Sequence, residues 1–133
     1  MTGVVVDTSA YVSALVFGGV PRTAIERAMQ QPYSLATSNA IRAELVETLF
    51  TKFGWPQDRI EDAAATLWSE AQWYEPLAVL ASRDPNDNHV LGCALAARAE
   101  IIITGDKDLL VLHPFNSIAV LTPAQFINLP EPT

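Results

Sequence analysis

Short apolar runs along this chain alternate with longer segments in which apolar residues recur every three or four positions. The apolar runs predict strands at 4–7, 33–37, 73–80, 101–104 and 117–122. The segments with helical spacing predict helices at 8–17, 21–30, 40–53, 56–72 and 89–99. Strands that alternate with helices predict an α/β fold with a central, mainly parallel sheet flanked by helices.

Residues that favour turns and caps separate the predicted elements. Gly18, Gly54 and Pro32 follow predicted helices, and Ser38 or Asn39 can cap the helix at 40–53. The stretch 82–88 is rich in Asp, Asn and Pro, which predicts a turn before the helix at 89–99. Further on, 105–110 predicts a turn with a short helix, and 122–129 predicts a final capped helical turn.

Length and composition limit the class of protein. The chain has 133 residues, of which half are hydrophobic, so we expect one globular domain over residues 1–133. Its longest apolar runs have about five residues and are too short to span a bilayer. The N-terminal residues do not resemble a signal peptide. Cys93 is the single cysteine, so no intrachain disulfide can form, and we expect a cytoplasmic protein.

The net charge of −7 comes from 8 basic and 15 acidic residues. Such a surface repels polyanions at long range, which taken alone argues against a nucleic-acid-binding protein. It suits a protein that holds metal cations or that meets a basic partner.

Four acidic residues occupy positions that converge in a parallel sheet. Asp7 and Asp106 follow the apolar runs VVV and IIIT, and Asp87 precedes the helix that leads into IIIT. Glu44 lies about two turns into the helix that follows YSLAT. In an open parallel sheet these places share the edge formed by the carboxyl ends of the strands, where ligands bind. Each acid alone could cap a helix, bridge a turn or face solvent, but together they would repel one another unless a cation neutralised them. Oxygen ligands of this kind suit Mg²⁺ or Mn²⁺.

Three stretches resemble the PIN domain family. They are VVVDTSAYVSAL, RAELVETL and DPNDNHVLGCALAARAEIIITGDKDLL, and together they cover nearly the whole chain. The likeness is closest to the bacterial toxin components of toxin–antitoxin pairs of the VapC type. It implies a PIN-like three-layer sandwich with a mainly parallel central sheet. It also implies a metal-dependent endoribonuclease, with RNA as substrate, a cognate antitoxin as partner and a possible homodimer.

The resemblance also implies roles for individual residues. Asp7, Glu44, Asp87 and Asp106 would be the catalytic acids that hold Mg²⁺ or Mn²⁺, and Asp108 would be a further metal ligand. Ser9 and Thr104 would orient a carboxylate or a bound water. Two assignments have neighbouring alternatives, which are Asp84 for Asp87 and Glu47 for Glu44. We prefer Asp87 because the helix begins directly after it and the acid of the family lies there.

Few basic residues lie near the predicted acids. Arg42 and Lys107 are the candidates for contacts with RNA phosphates, and with so few contacts RNA binding is expected to be weak with a short footprint. His89 and His113 lack the spacing of a metal-ligand pair, so we do not expect them to bind a metal.

Other functions fit the sequence less well. Haloacid-dehalogenase-type phosphatases also place an Asp after the first strand, but they need a second Asp two residues later, where this chain has Ser9. A response-regulator receiver would need an acidic pair before the phosphorylated Asp and a late Lys. A PIN fold that binds a partner without cleaving RNA remains the alternative from another functional class.

Overall fold

The computed structural model describes residues 1–79, 81 and 84–130. The strands are β1 (Thr2–Val6), β2 (Tyr33–Thr37), β3 (Gln72–Trp73), β4 (Ile101–Ile103) and β5 (Ala119–Leu121). The helices are α1 (Thr8–Phe17), α2 (Gly19–Ala28), α3 (Asn39–Phe53), α4 (Gln57–Leu67), α5 (Asn88–Ala97), α6 (Lys107–Leu110) and α7 (Pro123–Ile127), with a 3₁₀ turn at Pro85–Asp87. Within the described ranges, no helix has both the length and the apolar character needed to cross a membrane.

A five-stranded sheet in the order β3-β2-β1-β4-β5 forms the centre of the molecule, and all its strand pairs are parallel. Helices flank it, so the predicted α/β fold with a central parallel sheet is confirmed. Val4, Val5 and Val6 in β1 are fully buried, as expected for a strand covered on both faces. This explains why the sequence shows continuous apolar runs rather than alternation.

The strand order reverses beside β1, so the crevice of the sheet lies at the carboxyl end of this strand. β1 pairs with β2 on one side and with β4 on the other. Both neighbours continue into loops and helices at their carboxyl ends. Because ligands of open α/β sheets bind where the strand order reverses, the end of β1 is the expected site position.

Local signals account for the ends of α3. The Ser38 hydroxyl accepts a hydrogen bond from the backbone N–H of Ile41 at 3.2 Å, so Ser38 is the cap rather than Asn39. At the other end Gly54 adopts a left-handed conformation with φ 65°, which a residue without a side chain tolerates best. The helix between these two residues has 15 residues, so its side chains point to different sides of the helix.

The middle of the chain differs most from the prediction. The strand expected at 73–80 is the two-residue β3, and residue 80 lies outside the described part of the chain. Beyond Trp73 the backbone crosses α5, where the Leu77 N–H donates to the Gly92 carbonyl at 3.1 Å. The helix expected to reach residue 72 ends at Leu67. The Tyr74 N–H still donates to the Thr37 carbonyl of β2 at 2.9 Å, but the Leu77 N–H has its partner in α5 and not in a strand. Apolar periodicity does not indicate this change of partner.

Candidate functional site

Asp7 lies at the carboxyl end of β1, in the crevice of the sheet. It is only 5% exposed, and its backbone N–H donates to the Ile103 carbonyl of β4 at 2.8 Å. The hydroxyls of Ser9 and Thr104 both donate to Asp7 Oδ2, at 2.9 and 2.8 Å. Its side chain does not cap α1. The carboxylate is therefore held in one orientation by hydroxyl groups from two distant parts of the chain.

The turn after β4 brings two further acids to the same edge. The Thr104 hydroxyl that donates to Asp7 also accepts a hydrogen bond from the backbone N–H of Asp106 at 3.0 Å. Asp106 Oδ1 in turn accepts from the backbone N–H of Asp108 at 2.9 Å and caps α6. Thr104 is completely buried, so this link between Asp7 and the Asp106 turn is shielded from water.

Asp87 is the last residue of the 3₁₀ turn and directly precedes α5, yet its side chain does not cap α5. Its Oδ2 atom is buried and has no hydrogen-bond partner among the described residues. Burial and the nearby carboxylate of Asp106 raise the pKa of Asp87 to about 7, with smaller contributions from Asp7 and Asp84. A ligand oxygen from each of Asp87, Asp106 and Asp108 lies within 4.8 Å of the other two.

Glu44 approaches these acids from α3. Its pKa is raised to about 7, first by burial and then by the charges of Asp7, Asp84 and Glu47. His89 Nε2 contacts Glu44 Oε1. Burial lowers the pKa of His89, and the charge of Asp7 opposes this change.

The side chains of Asp7, Glu44, Asp87 and Asp106 line one open depression of about 450 Å³, which we call the acidic cleft. Its lining comprises Asp7, Thr8, Ser9, Val12, Ser13, Phe17, Glu44, Thr48, Lys52, Phe53, Asp87 and Asp106. The four acids proposed from the sequence as catalytic thus face a common space, although they come from positions 7 to 106 of the chain.

Among the predicted phosphate-contact residues, the structure places Arg42 away from the acidic cleft. Arg42 lines a separate apolar depression with Val46 and Phe50, because two residues along a helix correspond to about 200° of rotation away from Glu44. Lys107 is exposed in the first turn of α6, between Asp106 and Asp108.

Asp84 and Glu47, the alternatives to Asp87 and Glu44, occupy different positions from those two residues. Asp84 accepts a hydrogen bond from the backbone N–H of Asn86 at 3.0 Å and caps the 3₁₀ turn, as expected for a turn residue. Glu47 is exposed and lines an adjoining depression with His89, so Glu44 is the glutamate that faces Asp7.

Two polar residues that the sequence did not single out for this site are Lys52 and His89. Lys52 lines the acidic cleft, and the spacing of Glu44, Thr48 and Lys52 by four residues, which places them along one face of α3, would have revealed it. His89 contacts Glu44 although it lacks a metal-ligand spacing. The feature that could have indicated His89 is its position two residues after Asp87, in the first turn of α5.

The donor set of the cleft fits a hard divalent cation. Asp87, Asp106 and Asp108 offer oxygens close enough to share one ion, and the buried, unpartnered Oδ2 of Asp87 lacks the hydrogen bond that a buried polar atom normally makes. Asp7 and Glu44 offer further oxygens in the same cleft. Oxygen-rich sites of this kind favour Mg²⁺ or Mn²⁺ over zinc.

Most of the chain matches a known protein family. Residues 3–108 match the family model described as PIN domain. A relative from Methanocaldococcus jannaschii, described as an uncharacterized protein, is 29% identical over 139 aligned residues. The alignment covers 94% of this chain and 89% of the relative.

Solved structures of low sequence identity share the fold. VapBC2 from Rickettsia felis, solved with a DNA fragment from its promoter, superposes with a TM-score of 0.65 at 12% identity and covers 90% of this chain and 97% of that chain. VapC20 from Mycobacterium tuberculosis, described as a toxin that cleaves the sarcin-ricin loop, gives a TM-score of 0.58 at 18% identity and covers 79% of this chain and 91% of that chain.

Proposed function

Because this chain belongs to the PIN domain family, we propose that it is a Mg²⁺- or Mn²⁺-dependent endoribonuclease and the toxin of a toxin–antitoxin pair. The observation that carries the proposal is the convergence of Asp7, Glu44, Asp87 and Asp106 on one cleft at the carboxyl edge of the sheet. The likeness to VapBC2 and to the toxin VapC20 supports the choice of RNA as substrate and of an antitoxin as partner.

The cation would be held by Asp87, Asp106 and Asp108, with Asp7 and Glu44 as further ligands. When bound, it would lower the pKa of the attacking water and offset charge on the scissile phosphate. Ser9 and Thr104 keep the Asp7 carboxylate oriented, as supporting residues around a metal site do.

Basic groups at the margins of the cleft would bind the substrate. Lys52 lies in the cleft lining, and Lys107 is exposed beside Asp106. We propose these two lysines as the phosphate contacts, with Arg42 displaced from that role by its position on another face of α3. Each lysine would reduce the repulsion between the RNA backbone and an acidic surface.

A protein partner would restrain such an activity. A cognate antitoxin segment that places an Arg or a Lys in the acidic cleft would neutralise the carboxylates and exclude RNA. A second copy of the chain is a further proposed partner, and sedimentation that shows only monomer at high concentration would count against it.

The primary test is cleavage of single-stranded RNA by the purified chain with Mg²⁺, with Mn²⁺ and with chelator. We expect cleavage that depends on the metal and that disappears in Asp7→Asn. Calorimetric titration with Mn²⁺ should show weaker binding by the same variant. Asp62→Asn, which changes an exposed acid of α4, is the matched control and should cleave like the wild type. A folded wild-type chain that binds metal and RNA but cleaves none would contradict the proposed nuclease.

A further inference from the structure

Two phenylalanines stand exposed at the rim of the acidic cleft. Phe17 is 78% exposed and Phe53 is 40% exposed, and both line the depression that contains Asp7 and Glu44. Their rings pack edge to face, with centroids 6.4 Å apart and an angle of 84° between the planes. An exposed apolar side chain alone needs no explanation, but a pair of touching rings at the mouth of a polar site is a distinct surface.

The positions of the two rings follow from how their helices end. Phe17 is the last residue of α1 and Phe53 the last residue of α3, and each precedes a glycine with positive φ, at 74° for Gly18 and 65° for Gly54. The chain turns away directly after each ring, and both side chains remain exposed.

A positive charge lies beside the rings. Lys52 directly precedes Phe53 and lines the same cleft. Glu44 and Phe53 are nine positions apart, which corresponds to a rise of about 13–14 Å along α3. An RNA strand whose scissile phosphate lies at the carboxylates would therefore reach the rings within a few nucleotides. One helix would thus offer, in order, an acid, a cation and an aromatic ring.

On this basis, and resting on the proposed nuclease function, we propose that Phe17 and Phe53 form a stacking subsite for one unpaired base. Lys52 contacts the phosphate next to that base. Aromatic rings combined with a nearby cation are the usual means of binding single-stranded nucleic acid, because every base offers a face for stacking. The subsite would fix the register of the strand relative to the carboxylates and exclude duplex RNA, whose bases are already stacked.

Charge favours RNA over a protein as the occupant. An apolar protein segment would need the rings alone, whereas a nucleotide uses the rings together with Lys52. The rings are also continuous with the cleft where the proposed chemistry occurs, so a strand bound for cleavage passes them.

The test measures binding of a short single-stranded RNA that contains 2-aminopurine, whose fluorescence is quenched on stacking. The full chain is used in the Asp7→Asn background so that the RNA stays intact. Three changes are compared, which are the double replacement of Phe17 and Phe53 by Ala, the same double replacement by Leu, and Phe50→Ala. Phe50 is the matched control, because it is 57% exposed on α3 but lines the depression on another face. Circular dichroism and thermal denaturation verify that each variant folds.

We expect both double variants to lose about tenfold in RNA affinity and to lose the quenching, while Phe50→Ala retains both. Unchanged affinity in the alanine double variant would overturn the subsite. Full binding by the leucine double variant would also overturn it, since an apolar contact surface for a protein would then explain the rings better than stacking.

A parallel cleavage assay of the chain with Asp7 intact separates the two proposals. Cleavage by the wild type together with full activity of both double variants overturns the subsite alone. Failure of the wild type to cleave RNA that the Asp7→Asn chain binds with quenching overturns the nuclease alone. Absence of any RNA binding overturns both.

Discussion

At the scale of single residues, the acids in and near the acidic cleft divide by what their side chains already bind. Asp84 and Asp106 accept hydrogen bonds from backbone N–H groups of their own turns, which is the local role that sequence would assign to either. Asp7 and Asp87 cap no helix, although each directly precedes one. A carboxylate that is at least partly buried and caps no helix through its side chain is a strong candidate for metal binding, which supports Asp7 and Asp87 beside Asp106.

The hydroxyl of Thr104 is predicted to support metal binding and RNA cleavage by orienting Asp7 and the Asp106 turn. Thr104→Val keeps the shape of this buried side chain but removes its hydrogen bonds with the Asp7 carboxylate and the Asp106 N–H. We expect RNA cleavage and Mn²⁺ affinity to fall by about 10- to 100-fold, the usual effect of losing a residue that orients a metal ligand. Activity assays and calorimetry provide the measurements. Thr66→Val, which removes an exposed hydroxyl on α4, should change neither quantity.

The raised pKa values of Glu44 and Asp87 predict how stability depends on pH without metal. Each has a native pKa of about 7, against ordinary values of 4.5 and 3.8. Between these values the native state binds more protons than the unfolded state, so its stability falls as pH rises. We expect the melting temperature in chelator to decrease from about pH 4.5 to about pH 7, by less than the shifts alone imply because solvent screens the partly exposed Glu44.

Divalent metal should remove much of that decrease, because the cation neutralises the deprotonated acids. Glu44→Gln should flatten the profile in chelator. Thermal denaturation at a series of pH values, with and without Mn²⁺, measures both effects. A melting temperature that rises across this range in chelator would show that the acids do not repel one another as inferred.

At the scale of elements, the sequence predicts those helix and strand boundaries that residues nearby in the chain determine. The bounds of β2 were predicted at 33–37 and found there, because Pro32 and Ser38 mark its ends. The segment after Trp73 was mispredicted, because its backbone leaves β2 after Tyr74 and the Leu77 N–H then donates to α5. The position of Arg42 illustrates the same limit, since nearness to Glu44 in sequence does not place it on the same helix face.

Gly92 is predicted to be required for the passage of the chain over α5. A Cβ atom at this position would lie 2.0 Å from the backbone oxygen of Leu77, so the two segments would have to separate. We expect Gly92→Ala to destabilise the fold by about 1–3 kcal/mol, the typical cost of overpacking. Gly105→Ala is the control, because among the described residues beyond its chain neighbours the nearest atom to its Cβ would be Ser9 Oγ at 3.9 Å. Urea denaturation of both variants tests the contrast, and equal stability would contradict it.

At the scale of the whole molecule, a net charge of −7 leaves few cations to bind RNA. If Lys52 and Lys107 are the two phosphate contacts, log affinity for single-stranded RNA should fall with log salt at a slope of about −1.4, since each contact contributes about −0.7. Lys52→Ala should halve this slope, whereas Arg42→Ala should leave it unchanged. Titrations at several salt concentrations and fixed Mg²⁺ give the slopes. A steeper wild-type slope that Arg42→Ala reduces would return Arg42 to the binding surface.

The pairing of β1 with β4 has a consequence for the chain during its own synthesis. Val6 lies beside Ile103, and the Thr104 hydroxyl that orients Asp7 comes from 97 residues later. In a nascent chain, Asp7 therefore lacks the Thr104 hydroxyl and the Asp106 carboxylate until β4 and the Asp106 turn have left the ribosome. The proposed metal site cannot assemble before residues 101–108 have been made, so an RNA-cleaving activity would arise only after that part of the chain has emerged.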